Sequence, residues 1–222
     1  MKSPAFIFGK CSLMIVLLTA AFLTACSDKV DESDIYTFKG ETITSYLEKS
    51  ENFTDFAYIL SRVKLSKRSE STIAQLLSAR GNYTVFAPTN DAVQHYLDSV
   101  YQTTDYDITQ IPDSVADYIA RNAIIDCEDL NAYQTTDFNV GTLERTNMDD
   151  RYITVDFDTI NGGNLATIIN NSARIVLPDI EVYNGYIHGV NQVLSLSRAT
   201  VPALIESADN LRIFNELLRR TG

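Results

Sequence analysis

The 222-residue chain has no tryptophan, two histidines, three cysteines and five prolines, and its basic residues are outnumbered by acidic ones, 18 to 29. Each shortage closes off a class of function. Histidine is the usual general base and a frequent metal ligand near neutral pH, and only His95 and His188 are there to serve. The sequence holds no Gly-x-Ser-x-Gly, no His-Glu-x-x-His and no Cys-x-x-Cys. The serine-hydrolase elbow and the common zinc sites therefore lack their residues. Gly162-Gly163 is an isolated pair in a turn and matches no phosphate cradle. Acids are abundant, yet nothing singles out a pair for glycoside chemistry. The stretch Asp156-Phe157-Asp158-Thr159-Ile160-Asn161-Gly162 looks like a calcium loop, but its Asn-Gly falls one position late. Thr167 also stands where the bidentate Glu of an EF-hand belongs. Neither a metal nor a cofactor is expected, and the reading is non-enzymatic.

The cysteines and charges speak instead to location. Lys2 and Lys10 precede the apolar run Leu13-Met14-Ile15-Val16-Leu17-Leu18, which is too short to span a bilayer, where about 20 apolar residues are needed. It ends in Leu23-Thr24-Ala25-Cys26, which resembles a bacterial lipobox. That resemblance implies a lipoprotein signal over residues 1–25 and an acylated Cys26. The alternative is an ordinary secretory leader with a chance cysteine. Each buried methylene of an acyl chain contributes about 0.8 kcal/mol, so a multiply acylated cysteine holds firmly to a membrane. Residues 26–40 open with the polar Ser27-Asp28-Lys29-Val30-Asp31-Glu32-Ser33 and read as a flexible tether. Acids just after the lipidated cysteine resemble the surface-export signal of some Gram-negative lipoproteins. The expected location is the outer membrane, facing outward, with a periplasm-facing spacer as the alternative.

Loss of residues 1–25 removes two lysines and no acid, leaving 16 basic against 29 acidic side chains, a net −13. Such a surface does not suit nucleic acid, whose binding rests on phosphate contacts from Lys and Arg, nor does it hug an anionic membrane, so membrane contact is expected through the anchor only. Cys11 leaves with the leader, and Cys127 is left with no partner for an intramolecular disulfide. It reads as a small buried apolar residue.

An ungapped repeat runs at an offset of 158 residues. Thr42, Glu48, Asn52, Phe56, Leu60 and Arg62 match Thr200, Glu206, Asn210, Phe214, Leu218 and Arg220. In the first copy Ser45 and Glu48 stand at capping-box spacing, and Phe53, Phe56, Ile59, Leu60 and Val63 share a helical face. The expected organisation is one domain over 41–198, with 199–222 a linker and the opening helix of a second, incomplete repeat. The chain is then a piece of a tandem protein, or its tail helix packs elsewhere.

Within the domain, Ile73, Leu76 and Leu77 suggest a short helix, and Tyr83 to Ala87 a buried strand that Pro88 ends. Thr89 or Asn90 is placed to cap a helix carrying Asp91, Ala92, Val93, Tyr96 and Leu97, and Ser114 to cap another carrying Val115, Tyr118, Ile119 and Ala123. Ile153, Val155 and Phe157 alternate as in a strand, and Ala173-Arg174-Ile175-Val176 follows an Asn-rich turn. Asn184-Gly185 marks a hairpin. The class is α+β.

Two stretches carry a family resemblance. Thr84-Val85-Phe86-Ala87-Pro88-Thr89-Asn90-Asp91 and Asn184-Gly185-Tyr186-Ile187-His188-Gly189-Val190-Asn191 resemble the two signature boxes of the fasciclin domain. The resemblance implies a β-sandwich or wedge with helices gathered on one side, and a binding module in place of an enzyme. It gives His188 a structural place beside the first box. Arg121-Asn122 stands where many relatives carry Tyr-His, a motif linked to integrin-type adhesion, and Asn191 where the second box usually has Asp. The implied role is a lipid-anchored surface adhesion protein binding an extracellular protein or polysaccharide. The alternative is a spacer or docking component of an envelope glycan-capture assembly. Tyr101, Tyr106, Tyr133 and Tyr183 fall in or near loops and are the first candidates for contact, since exposed tyrosine suits polar, adaptable interfaces.

Overall fold

The computed structural model describes residues 40–159 and 165–194. The expected leader, Cys26, nearly all of the expected tether, the end of the calcium-like stretch and the expected second copy of the repeat lie outside the described residues. Helices α1 (Ile43–Lys49), α2 (Thr54–Arg62) and α3 (Ile73–Leu77) precede strand β1 (Tyr83–Pro88), and α4 (Asn90–Tyr101) and α5 (Asp113–Asn122) follow it. Then come β2 (Ile124–Asp126), β3 (Gly141–Thr146), β4 (Tyr152–Thr159), β5 (Leu165–Ile169), β6 (Ala173–Val182) and β7 (Gly185–Val190).

The opening amphipathic stretch is two helices. Thr42, not Ser45, caps the first, its hydroxyl accepting from the Ser45 amide at 3.3 Å. Ser45 therefore lies inside the helix. The second has Phe53 at its cap position with no side-chain bond of its own. The expected apolar face is nonetheless buried whole, from Phe53 to Val63. Thr72 and Gln75 form the capping box of α3. Pro112 precedes α5, and Ser114 sits in its first turn without capping it. Proline fits there because its fixed φ suits a helix start and its missing N–H removes an orphan donor.

The seven strands form one sheet in the order β2-β1-β7-β6-β5-β4-β3. The expected α+β class, with helices on one side, is what the fold shows, and the two facing layers of the wedge are a single folded sheet. β6 makes the bend. Its start pairs with β5 at only Ile168–Arg174 and Ile169–Ala173, and its remainder pairs with β7. Register shifts fall on both sides of Leu177, with Pro178 and the left-handed Asp179 (φ 53°) in the second. Bulges bend a strand and raise its twist, and proline is tolerated where ladder bonds are broken. The ends of the strand order then meet: the Met148 amide donates to the Ile124 carbonyl at 2.9 Å, and buried Asn147 donates to buried Asn122 at 3.1 Å.

Two hydrophobic cores result. Helix residues such as Phe56, Leu60, Leu97 and Ile119 pack on one face of the central strands, with Val85, Ile124 and Ile187. The folded-over strands supply Leu143, Ile153, Val155 and Ile169 to the other face, against Phe86, Ile125 and Val190. Strand β1 is thus buried on both faces and at all six positions, which is why it reads as a continuous apolar run.

The β6–β7 hairpin forms as expected, but its turn is Tyr183-Asn184, because Val182 pairs with Gly185. Neither turn residue has positive φ, so the Asn-Gly primed turn is not the one used. The cause is Asn184, whose side chain is drawn into the core.

Candidate functional site

The two boxes lie side by side. Strands β1 and β7 pair in parallel through six positions, from Tyr83–Gly185 to Pro88–Val190, so the strand part of the first box is zipped to the second. Thr84 through Pro88 and Ile187, His188 and Asn184 are all buried.

Most of these side chains hold structure. Asn184, 1% exposed, accepts from the Ile43 amide at 3.0 Å and donates to the carbonyls of Leu77 and Ala79 at 2.8 and 2.9 Å. One amide thereby ties the start of α1 to the end of α3. Gly185 has φ +145°, and a Cβ there would lie 1.9 Å from the Tyr83 carbonyl oxygen, so only glycine fits. Val85 and Ile187 face the helical core, and Phe86 the other. Thr84 accepts from the Tyr133 amide at 2.8 Å and lies 3.5 Å from the Cys127 sulfur. Thr89 caps α4 through the Ala92 amide, with Asp91 exposed in the first turn. Asn90 serves a different helix: it accepts from the Asp55 amide at 3.1 Å, supplying α2 with the cap its own sequence lacks.

His188 is fully buried, 5.5 Å from Phe86 and 5.4 Å from Phe138 between ring centroids. The Asp179 amide donates to Nδ1 at 3.2 Å. Nε2 therefore carries the proton and donates to the Tyr133 carbonyl at 2.9 Å. Burial pushes its pKa below the ordinary histidine value, although the Tyr133 carbonyl and Asp179 oppose the shift. The ring is a neutral cross-link between the β6 bulge and the loop carrying Tyr133, with both nitrogens engaged. His95 is exposed on α4. Cys127 is buried, and burial raises its thiol pKa, the reverse of what a nucleophile needs. Asp156 to Thr159, the start of the calcium-like stretch, belong to β4.

The departures from the family pattern are built in. Arg121 pairs with Asp117 at 2.7 Å and donates to the carbonyls of Lys64 and Leu65, while Asn122 is sealed inside. Asn191 exchanges bonds with the Arg174 backbone in both directions. Of the four loop tyrosines, Tyr101 and Tyr106 stack at 4.4 Å, Tyr133 is half-buried, and Tyr183 is exposed in the hairpin turn.

Two of the open clefts among the described residues gather charged or aromatic side chains. One, about 520 Å³, brings Tyr133 and Tyr186 together with Asn82, Gln134, Asp137 and Glu144. The other, about 540 Å³, lies between α5 and the loop after α2, and holds Arg62, Lys64, Lys67 and Arg121 with Asp113 and Asp117. The second was legible but overlooked: Arg62-Val63-Lys64-Leu65-Ser66-Lys67-Arg68 puts four cations in seven residues of an acidic chain.

The family model described as "Fasciclin domain" matches residues 51–196. Among solved structures the chain is similar to a FAS1 domain pair from the insect cell adhesion molecule fasciclin I. The identity is 17% and the TM-score 0.40, with 62% of this chain and 48% of that one covered. The match thus spans about half the length of that structure. A search of curated proteins finds no match.

Proposed function

The chain belongs to the fasciclin-domain family, and from that premise we propose that it is a lipid-anchored adhesion protein of the outer cell surface, binding an extracellular matrix protein or polysaccharide. Fasciclin domains are in general adhesion modules that bind extracellular partners. The observation that carries the reading is the occupation of the box side chains. Asn184, His188, Thr84 and Asn90 have their polar atoms engaged within the fold, so ligand contact falls to the clefts and loops. A neutral, doubly bonded imidazole holds no proton ready for a substrate, which favours binding over catalysis. The Leu23-to-Cys26 motif and the acidic residues after it support anchoring at Cys26 and surface display.

The test is binding of the intact chain, in detergent, to an array of matrix proteins and polysaccharides. A saturable ligand is expected. Silence across the array from folded protein would favour the docking role in an envelope assembly. Labelling with a radioactive fatty acid, lost in Cys26→Ser, would establish the anchor.

A further inference from the structure

The described residues contain 22 acids and ten Lys or Arg. Five of those ten cluster at one place: Arg62, Lys64, Lys67 and Arg121 line the cleft beside α5, and Arg68 adjoins Lys67 in sequence. Half of the described basic residues thus lie on or next to one cleft of an otherwise acidic surface. The cleft is held in shape. Arg121 donates to the carbonyls of Lys64 and Leu65 at 2.8 and 3.1 Å, the Leu65 amide donates to Ser71, and the Ser69 amide donates to Ser66.

Three carboxylates answer three of the cations, and they do so weakly. Asp113 on Arg62 and Glu70 on Lys64 are each 93% exposed, and exposed pairs contribute little. Asp117, about half exposed, pairs with Arg121. Lys67 and Arg68 are exposed with no carboxylate partner among the described residues. The local excess is positive, and a concave surface concentrates such a field.

We propose that this cleft binds a linear anionic polysaccharide, its carboxylate or sulfate groups meeting Lys67, Arg68 and Lys64. The inference rests on the adhesion reading and names its ligand class. The shape of the charge selects a thin polymer. A folded acidic partner covers about 800 Å² on each side, which would carry it from the cleft onto the surrounding acids. A single strand with a charge on each sugar stays within the cleft, where the cations outnumber the three carboxylates Asp113, Glu70 and Asp117.

Calorimetric titration of the intact chain in detergent with polygalacturonate and with dextran sulfate tests this, alongside uncharged dextran and poly-glutamate. At least one anionic polysaccharide is expected to bind, less tightly as salt rises. Lys67→Ala with Arg68→Ala should weaken it about tenfold with an unchanged thermal transition. Lys49→Ala, on α1, should leave it within about twofold. Binding untouched by the double variant overturns the proposal, as does poly-glutamate binding equally well through the same residues. If neither anionic polysaccharide binds, the proposal falls. A matrix protein or dextran that still binds would then leave the adhesion reading standing, and silence from all of them would remove both.

Discussion

The central strands and the outer strands of the same sheet are built to different standards. Around β1 and β7, both faces are buried, and cross-links from distant segments converge on single side chains: Asn184 on α1 and α3, His188 on the β6 bulge and the Tyr133 loop. In β3, β4 and β5 the inner face is packed, yet Leu165 is 72% and Tyr152 61% exposed, as is Val140, just before β3, at 71%. β5 holds β6 by only two residue pairs. The difference teaches that the signature boxes are the frame of the fold, and that the exposed apolar surface lies away from them.

Two glycines with positive φ give the sharpest contrast. At Gly185 an added methyl strikes the Tyr83 carbonyl, whereas at Gly141 (φ +128°) it meets nothing within 4 Å. Gly185→Ala is expected to abolish folding or cost more than about 4 kcal/mol, and Gly141→Ala only the backbone strain, about 1–3 kcal/mol. Denaturant melts of both would check it, and equal losses would break the comparison. Asn184→Ala comes next. It leaves one amide and two carbonyls unanswered in a buried place, which at about 1–3 kcal/mol per orphaned group predicts a loss of at least about 3 kcal/mol.

His188 adds a pH dependence. Its folded pKa is lowered, so the folded state resists protonation more than the unfolded state does. The stability it contributes is full above the unfolded pKa of about 6.5 and falls as pH drops below it, by up to about 1.4 kcal/mol per unit until the folded pKa is reached. Melts between pH 4 and 7 (roughly the span over which histidine and carboxylates titrate) should show a shallower slope for His188→Gln than for the parent. An identical slope would remove the ring from the account. The smallest effect is expected at Leu165→Ser, within about 0.5 kcal/mol, because the side chain is already in water.

The frame was largely legible from the sequence. The β1 run, the α2 apolar face, the Thr89 cap and the burial of His188 follow from periodicity, capping chemistry and the box resemblance. What escaped was set by distance along the chain. Nothing local says that β1 pairs in parallel with β7, about a hundred residues on, or that Asn90 caps a helix that precedes it. β2 is three residues long, and β3 offers Leu143 as its single apolar residue, so neither carries a period to detect. The hairpin turn slipped by one position because Asn184 satisfies core partners that lie far away in sequence. The basic cleft was written in a local run of charge and drew no notice among patterns of apolar residues.

The central place of β7 also orders events in time. The last described strand is the one inserted between β1 and β6, so β1 waits for it with one edge unpaired. At about 5–20 residues per second of synthesis, the roughly hundred residues between them represent on the order of 5–20 s. Until then the nascent chain has no completed sheet centre, and long-range pairing of this kind is slow to form in any case. The fold closes like a latch, with the last described strand as the bolt.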